Sequence, residues 1–165
     1  MPLFRSPHLI ADINKVQVRG DTWEIPPRGL NIVWGNDPRY WSIPIDGPAG
    51  LIQVCWLEVS GSIQVTRGRK YQIRFEVQLK PDSFGWNGSS VLIMAKVGKQ
   101  GNYQYEEASL NQTGKLTIPM KPSGLEIDVP IDAADPTLYF GLYEVWSGKW
   151  KGGLEIHKAT VRQAF

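Results

Sequence analysis

Tyr71-Gln72-Ile73-Arg74-Phe75-Glu76-Val77-Gln78-Leu79-Lys80 alternates apolar and polar residues without a break. That period of two is the mark of a strand with one buried and one wet face. The pattern recurs on both sides. Leu125, Ile127, Val129 and Ile131 alternate with polar residues that include Glu126 and Asp128, and Leu138, Phe140 and Leu142 repeat the phase. Cys55, Leu57 and Val59 line one face of an earlier strand. Val91, Ile93, Ala95 and Val97 form another run with Leu92 and Met94 opposite, so that strand reads as covered on both faces. Leu154 and Ile156 open a last strand reaching Arg162.

Turn signals separate these runs: Gly47-Pro48, Ser60-Gly61, Arg67-Gly68, Pro81-Asp82, Gly98 to Gly101, Pro122-Ser123-Gly124, Asp135-Pro136 and Ser147-Gly148. No segment carries a helical repeat over three turns. The reading is all-β: a single-domain antiparallel β-sandwich, jelly-roll-like, of about eight to ten strands. Residues 1–29, with Pro26-Pro27 and Gly29, read as an irregular lead-in, and residues 30–165 as the sandwich domain.

A chain of 165 residues is long enough to bury one real core. Its net charge of +2 excludes a strong basic field toward nucleic acid. The pI of about 8.7 allows only weak general attraction to anions. The one cysteine, Cys55, forms no internal disulfide and reads as a small mid-strand hydrophobe. Met1 to His8 lacks the apolar run of a signal peptide, so a cytoplasmic location is expected. Asn87-Gly88-Ser89 and Asn111-Gln112-Thr113 then read as unused glycosylation sequons. No stretch approaches the roughly 18 apolar residues of a membrane span.

Catalytic patterns are missing. His8 and His157 lie far apart and in no metal-ligand spacing, and no GxSxG, HExxH, P-loop or GxGxxG occurs. A carboxylate pair can hydrolyse glycosides, but Glu76, Glu126 and Asp128 fall on the wet side of alternating strands. The expectation is a non-enzymatic chain with no metal and no cofactor.

Two stretches carry the functional signal. Asn31-Ile32-Val33-Trp34-Gly35-Asn36-Asp37-Pro38-Arg39-Tyr40-Trp41 sets three aromatics around a turn of Gly, Asn, Asp and Pro. Turn residues sit at surfaces and large aromatics inside. Trp34 and Trp41 are therefore either flat faces at a rim, suited to stack on sugar C–H surfaces, or core anchors beside a loop. The second stretch is Leu142-Tyr143-Glu144-Val145-Trp146-Ser147-Gly148-Lys149-Trp150-Lys151-Gly152-Gly153-Leu154. Glu144 continues the inward phase of Phe140 and Leu142. It reads either as a rim carboxylate accepting bonds from sugar hydroxyls, or as a salt-bridge partner of Lys149 or Lys151. Trp150 is either a plug over the sandwich end or part of a binding wall. Asn36, Glu144 and Lys151 are the polar candidates in these two stretches.

Three ordered motifs resemble a known family. Ile32 to Trp41 is similar to its I-x-W-G-x-x-P-x-Y-W opening. Val54-Cys55-Trp56-Leu57-Glu58-Val59-Ser60-Gly61-Ser62-Ile63 is similar to its V-x-W-L-[ED]-[IV]-x-G-x-I strand. Leu142-Tyr143-Glu144 with Trp150-Lys151-Gly152-Gly153-Leu154 is similar to its L-x-E … W-K-[SG]-G-L close. This is the phloem protein 2 group, or Nictaba-related plant lectins, and the short chain resembles the cucurbit-type members. The resemblance runs from about Leu30 to Arg162, and it is poor from Pro81 to Ile118. It implies a lectin for N-acetylglucosamine oligomers, as in chitin fragments and the N-glycan cores of glycoproteins. It also implies homodimers and a cytoplasmic or phloem-sap location. The family's two sugar-binding tryptophans fall on Trp34 and Trp41, and its site glutamate on Glu144. The lysine-rich nuclear signal of some members is missing, and one cysteine does not fit filament crosslinking. The rival readings are an RNA-binding phloem-mobile protein, using Arg67, Arg69, Lys70 and Arg74, and a relic glycoside hydrolase.

Overall fold

The computed structural model describes residues 6–164, so the first five residues of the expected lead-in and Phe165 lie outside it. The described strands, in chain order, are β1 (Gln17–Arg19), β2 (Thr22–Ile25), β3 (Asn31–Ile32), β4 (Trp41–Ser42), β5 (Ala49–Leu51), β6 (Leu57–Gln64), β7 (Lys70–Phe84), β8 (Ser90–Val97), β9 (Gln104–Ser109), β10 (Gly114–Ile118), β11 (Leu125–Asp128), β12 (Thr137–Glu144) and β13 (Gly152–Ala164). Two single-turn 3-10 helices, Ile13–Lys15 and Pro27–Gly29, interrupt the N-terminal part.

The strands make two antiparallel sheets, one of eight strands and one of five. In the larger, β13 pairs with β7 along one side and with β2 and β5 along the other. β10 and β11 pair with the far side of β7, and β1 and β4 extend β2 and β5. The smaller sheet runs β3-β6-β12-β8-β9. The period-two faces meet between the sheets. Tyr71, Ile73, Phe75, Val77 and Leu79 of β7 and Leu138, Phe140 and Leu142 of β12 are all buried. Phe75 and Phe140 face each other at 6.4 Å between centroids, so the sheets touch through aromatic rings. Gly61 makes room for this, since a Cβ there would stand 2.8 Å from Cζ of Phe140.

The all-β sandwich is as the alternation implies. The strands outnumber the expectation because several pieces, such as β3 and β4, are only two residues long and carry no periodicity of their own. Three local readings are corrected. The lead-in is not wholly irregular: β1 and β2 form a hairpin, and β2 pairs with β13, so the sheet begins before Leu30. Ile131 does not continue its strand. It lies beyond Pro130, which cannot donate to a ladder, and is 83% exposed. Cys55 is half-buried and lies in a bend before β6, not within the strand.

Candidate functional site

The 31–42 segment turns sharply because of its residue types. Gly35 N–H donates to Ile32 O at 2.9 Å, closing a turn with Trp34 at φ 65°. A bulky residue in the left-handed region is an outlier, costing about 1–3 kcal/mol unless its surroundings hold it. The surroundings do. Trp34 N–H donates to His8 Nδ1 at 2.9 Å, and the His8 ring meets the Trp34 ring edge-on at 5.1 Å. Asn36 Nδ2 donates to Ser6 O and His8 O, tying the same N-terminal stretch down. Gly35 is required for close approach: a Cβ would stand 2.8 Å from Leu9 Cβ and 2.9 Å from Ile32 O.

Asp37 fixes the second half of the turn. Its backbone carbonyl accepts from Tyr40 N–H and Trp41 N–H, and its carboxylate takes Arg39 in a two-point bridge, 2.7 Å at the shorter contact. Those hydrogen bonds hold the Asp37 carboxyl below its ordinary value. Arg39 lies over the Tyr40 ring at 5.1 Å. Tyr40 ends this turn and Trp41 begins β4. Trp41 enters the core at 3% exposure, while Tyr40 is half-buried and packs against the edge of the core.

The result is a row of rings. Trp34 meets Tyr40 edge-on at 5.8 Å, and Tyr40 stacks on Trp150 at 6.3 Å and 29°. Trp34 is 37% and Trp150 51% exposed. The structure therefore brings Trp34, Asn36 and Trp150 to one rim and adds Tyr40 and His8, which sequence reasoning did not select. Tyr40 lies in the turn before β4, where no periodicity assigns its side chain a face.

Trp41 is not a rim aromatic, as the stacking reading required. It packs in the core and forms part of the wall of a cleft of about 430 Å³, with Asn36, Pro38 and Ile52. Its indole Nε1 is buried with no hydrogen-bond partner among the described residues.

Glu144 and Lys151 are likewise inside. Lys151 Nζ lies 2.9 Å from Glu144 Oε1, with side chains 0% and 3% exposed. Its ammonium also donates to Cys55 O at 3.1 Å and Lys149 O at 3.0 Å, so all three protons are placed. Glu144 accepts from the backbone of Trp146 and Ser147 and from the Ser147 hydroxyl. Burial raises the Glu144 carboxyl, but hydrogen bonds from Ser147 and Lys151 outweigh it and hold the carboxyl below its ordinary value. The rim position expected for both residues is thus corrected: the phase of β12 carries Glu144 inward, and the salt-bridge alternative with Lys151 is what forms. The pair ties both ends of the 145–150 loop, which presents Trp150. A two-way backbone bond between Val54 and Lys151, 2.9 Å each way, anchors the same loop.

The sequence profile described as phloem protein 2 matches residues 21–163. The chain belongs to the phloem protein 2 family. Protein PHLOEM PROTEIN 2-LIKE A9 of Arabidopsis thaliana is 41% identical over 175 residues, spanning 96% of this chain and 97% of that protein. A Luffa acutangula protein named lectin is 35% identical over 72 residues, 36% of this chain and 33% of that protein. The solved structure described as "CBM4 structure and function" is similar at a TM-score of 0.42 and 12% identity, covering 95% of this chain and 94% of that one.

In this family member Arg67, Arg69 and Lys70 of the basic cluster are exposed and Arg74 is half-buried, and two of the four bond to backbone carbonyls. Arg67 Nε donates to Ala133 O at 2.7 Å, and Arg74 donates to Pro122 O. Among the described residues, no three His, Cys, Asp or Glu side chains come together as a metal site, and no helix is long and apolar enough to cross a membrane.

Proposed function

We propose that this chain is a non-catalytic lectin that binds N-acetylglucosamine oligomers on the Trp34–Tyr40–Trp150 row. The observation that carries the reading is the row itself: three rings held in fixed orientation at a rim, one of them on strained backbone, with an open face on Trp150. Pyranose rings and the acetamido methyl present flat C–H surfaces, and stacking on a pre-ordered aromatic costs little side-chain entropy. Membership of the family and the partial likeness to a lectin support carbohydrate as the ligand class. Asn36 at the rim offers a polar group for hydroxyl or acetamido contacts. Trp41, Glu144 and Lys151 act beneath it, shaping the turn and the loop. Contacts of this kind give weak affinity per site, about micromolar to millimolar. A homodimer, which the family resemblance implies, raises apparent affinity for multivalent glycans without new contacts. A cytoplasmic location accompanies the same reading.

Titration with chitotriose, followed by tryptophan fluorescence, tests this against cellotriose, which lacks the acetamido groups. Saturable change with chitotriose and a much weaker response to cellotriose is the expected result. No response to chitotriose, or an equal response to both, overturns the specificity.

A further inference from the structure

A cleft of about 430 Å³ lies beside the turn at residues 35–38, and none of the three rings of the row lines it. That volume is within the range of small-molecule sites. Its walls set Pro38, Trp41, Ile43 and Ile52 beside Arg28 and Ser42, and no carboxylate lines it. Ile52 is 45% exposed, an apolar side chain left open at the wall. Gly35 and Asn36 complete the lining, and the Asn36 amide nitrogen is already committed to the carbonyls of Ser6 and His8.

Arg28 is the one charged group of this lining. The segment after β4 clamps it: Nε donates to Pro44 O at 3.1 Å, and Nη2 donates to Ile43 O. Both acceptors are neutral, and Arg28 joins no ion pair among the described residues. Asp37, the carboxylate of the adjoining turn, is held by Arg39 instead. A guanidinium has five N–H donors, and these bonds use two. The edge shared by Nη1 and Nη2 therefore keeps a parallel pair of N–H groups, in a plane the two carbonyls already fix. A cation so placed loses little side-chain freedom when a ligand arrives. The other unused groups agree in sign. Ser42 offers an exposed hydroxyl, and the Trp41 indole Nε1 is a buried donor with no partner among the described residues.

We infer that this cleft is a second ligand site, separate from the row, which takes a small organic carboxylate with an apolar body. The carboxylate lies on the free edge of Arg28 as a two-point, charge-assisted pair, and the body packs on Pro38, Ile43 and Ile52. One guanidinium balances one carboxylate. A doubly charged phosphate would be left half-compensated, because no second cation lines the cleft. The inference does not depend on the carbohydrate reading, since no ring of the row takes part.

Calorimetric titration with phenylacetate, phenylacetamide, acetate and inorganic phosphate, at one ionic strength, tests it. Wild type is expected to bind phenylacetate saturably and each of the other three at least about tenfold more weakly. The amide keeps the body and loses the charge, and acetate keeps the charge and loses the body. Arg28→Lys retains the charge but not the flat edge, and should weaken phenylacetate about fivefold. Ile52→Glu leaves the Arg28 clamp in place and sets a carboxylate on the wall. It should abolish phenylacetate binding at an unchanged melting temperature, because the position is exposed. No binding of phenylacetate to wild type overturns the inference. So does binding no tighter than that of phenylacetamide or phosphate, or normal binding by a folded Ile52→Glu protein. Chitotriose should leave phenylacetate affinity unchanged, and displacement of one by the other would put the acid on the row and overturn the separate site. A protein that binds phenylacetate but not chitotriose would sink the carbohydrate reading alone, so the two readings fail separately.

Discussion

Lys151 and Glu144 form a fully buried ion pair, 2.9 Å from Nζ to Oε1, across the base of the loop that carries Trp150. A buried pair of this kind is weak evidence for stability in itself, but breaking it is costly, because the remaining charge has nowhere to go. Lys151→Met is expected to destabilise the fold by about 3–5 kcal/mol, read by urea denaturation. Glu144→Gln should likewise lower the melting temperature first and sugar affinity only through the loop. An unchanged melt with lost affinity would return Glu144 to direct ligand contact.

The pair also sets an acid limb. Glu144 titrates in the folded state below its ordinary value. Its contribution is therefore full above the ordinary carboxylate range and is lost as pH falls through the lower, folded-state value. The melting-temperature gap between wild type and Glu144→Gln should be wide at neutral pH and should narrow on acidification. A gap that widens on acidification would reverse the sign.

Trp41→Ala tests the division of labour between the two neighbouring aromatics. Trp41 is 3% exposed in the core, so its truncation should cost about 3–5 kcal/mol. Tyr40→Ala, at a half-buried position on the edge of the core, should cost less stability than Trp41→Ala and more affinity. Comparing chemical denaturation with titration for each variant separates the two roles.

His8 holds Trp34 through one hydrogen bond to its backbone N–H and one ring contact. His8→Leu should cost about 1 kcal/mol of stability and about fivefold in chitotriose affinity, by loosening a turn that is strained on its own. His8→Asn supplies an acceptor oxygen near the position of Nδ1 and should restore most of both. Equal behaviour of the two variants would show that the hydrogen bond does not position Trp34.

The sandwich was legible because β7 and β12 announce themselves by parity: Phe75 and Phe140 each sit in an unbroken alternation, and each is buried. The hairpin of β1 and β2 was not legible, since its strands are three and four residues long, β1 is exposed throughout, and β2 joins the sheet only through the distant β13. At the site, composition located the right segments but not the direction of their side chains. Trp41 reads like Trp34 in sequence, and only the turn at Asp37 decides that one goes in and the other stays out. Glu144 was anomalous in the sequence for a sound reason: its phase is inward. Its partner lies seven residues on, across a loop whose closure no local pattern reveals.

The central claim is that sugar binds on the row formed by Trp34, Tyr40 and Trp150. Calorimetric titration of chitotriose into Trp150→Ala and Trp56→Ala tests it most directly. Trp56 is also exposed, but its Nε1 donates to Glu58 and its ring takes no part in the row. Trp150→Ala should keep the wild-type melting temperature and lose about 2 kcal/mol or more of binding free energy, with Trp56→Ala unchanged in both. A folded Trp150→Ala protein that binds chitotriose like wild type, or a loss of binding on Trp56→Ala, would contradict the account.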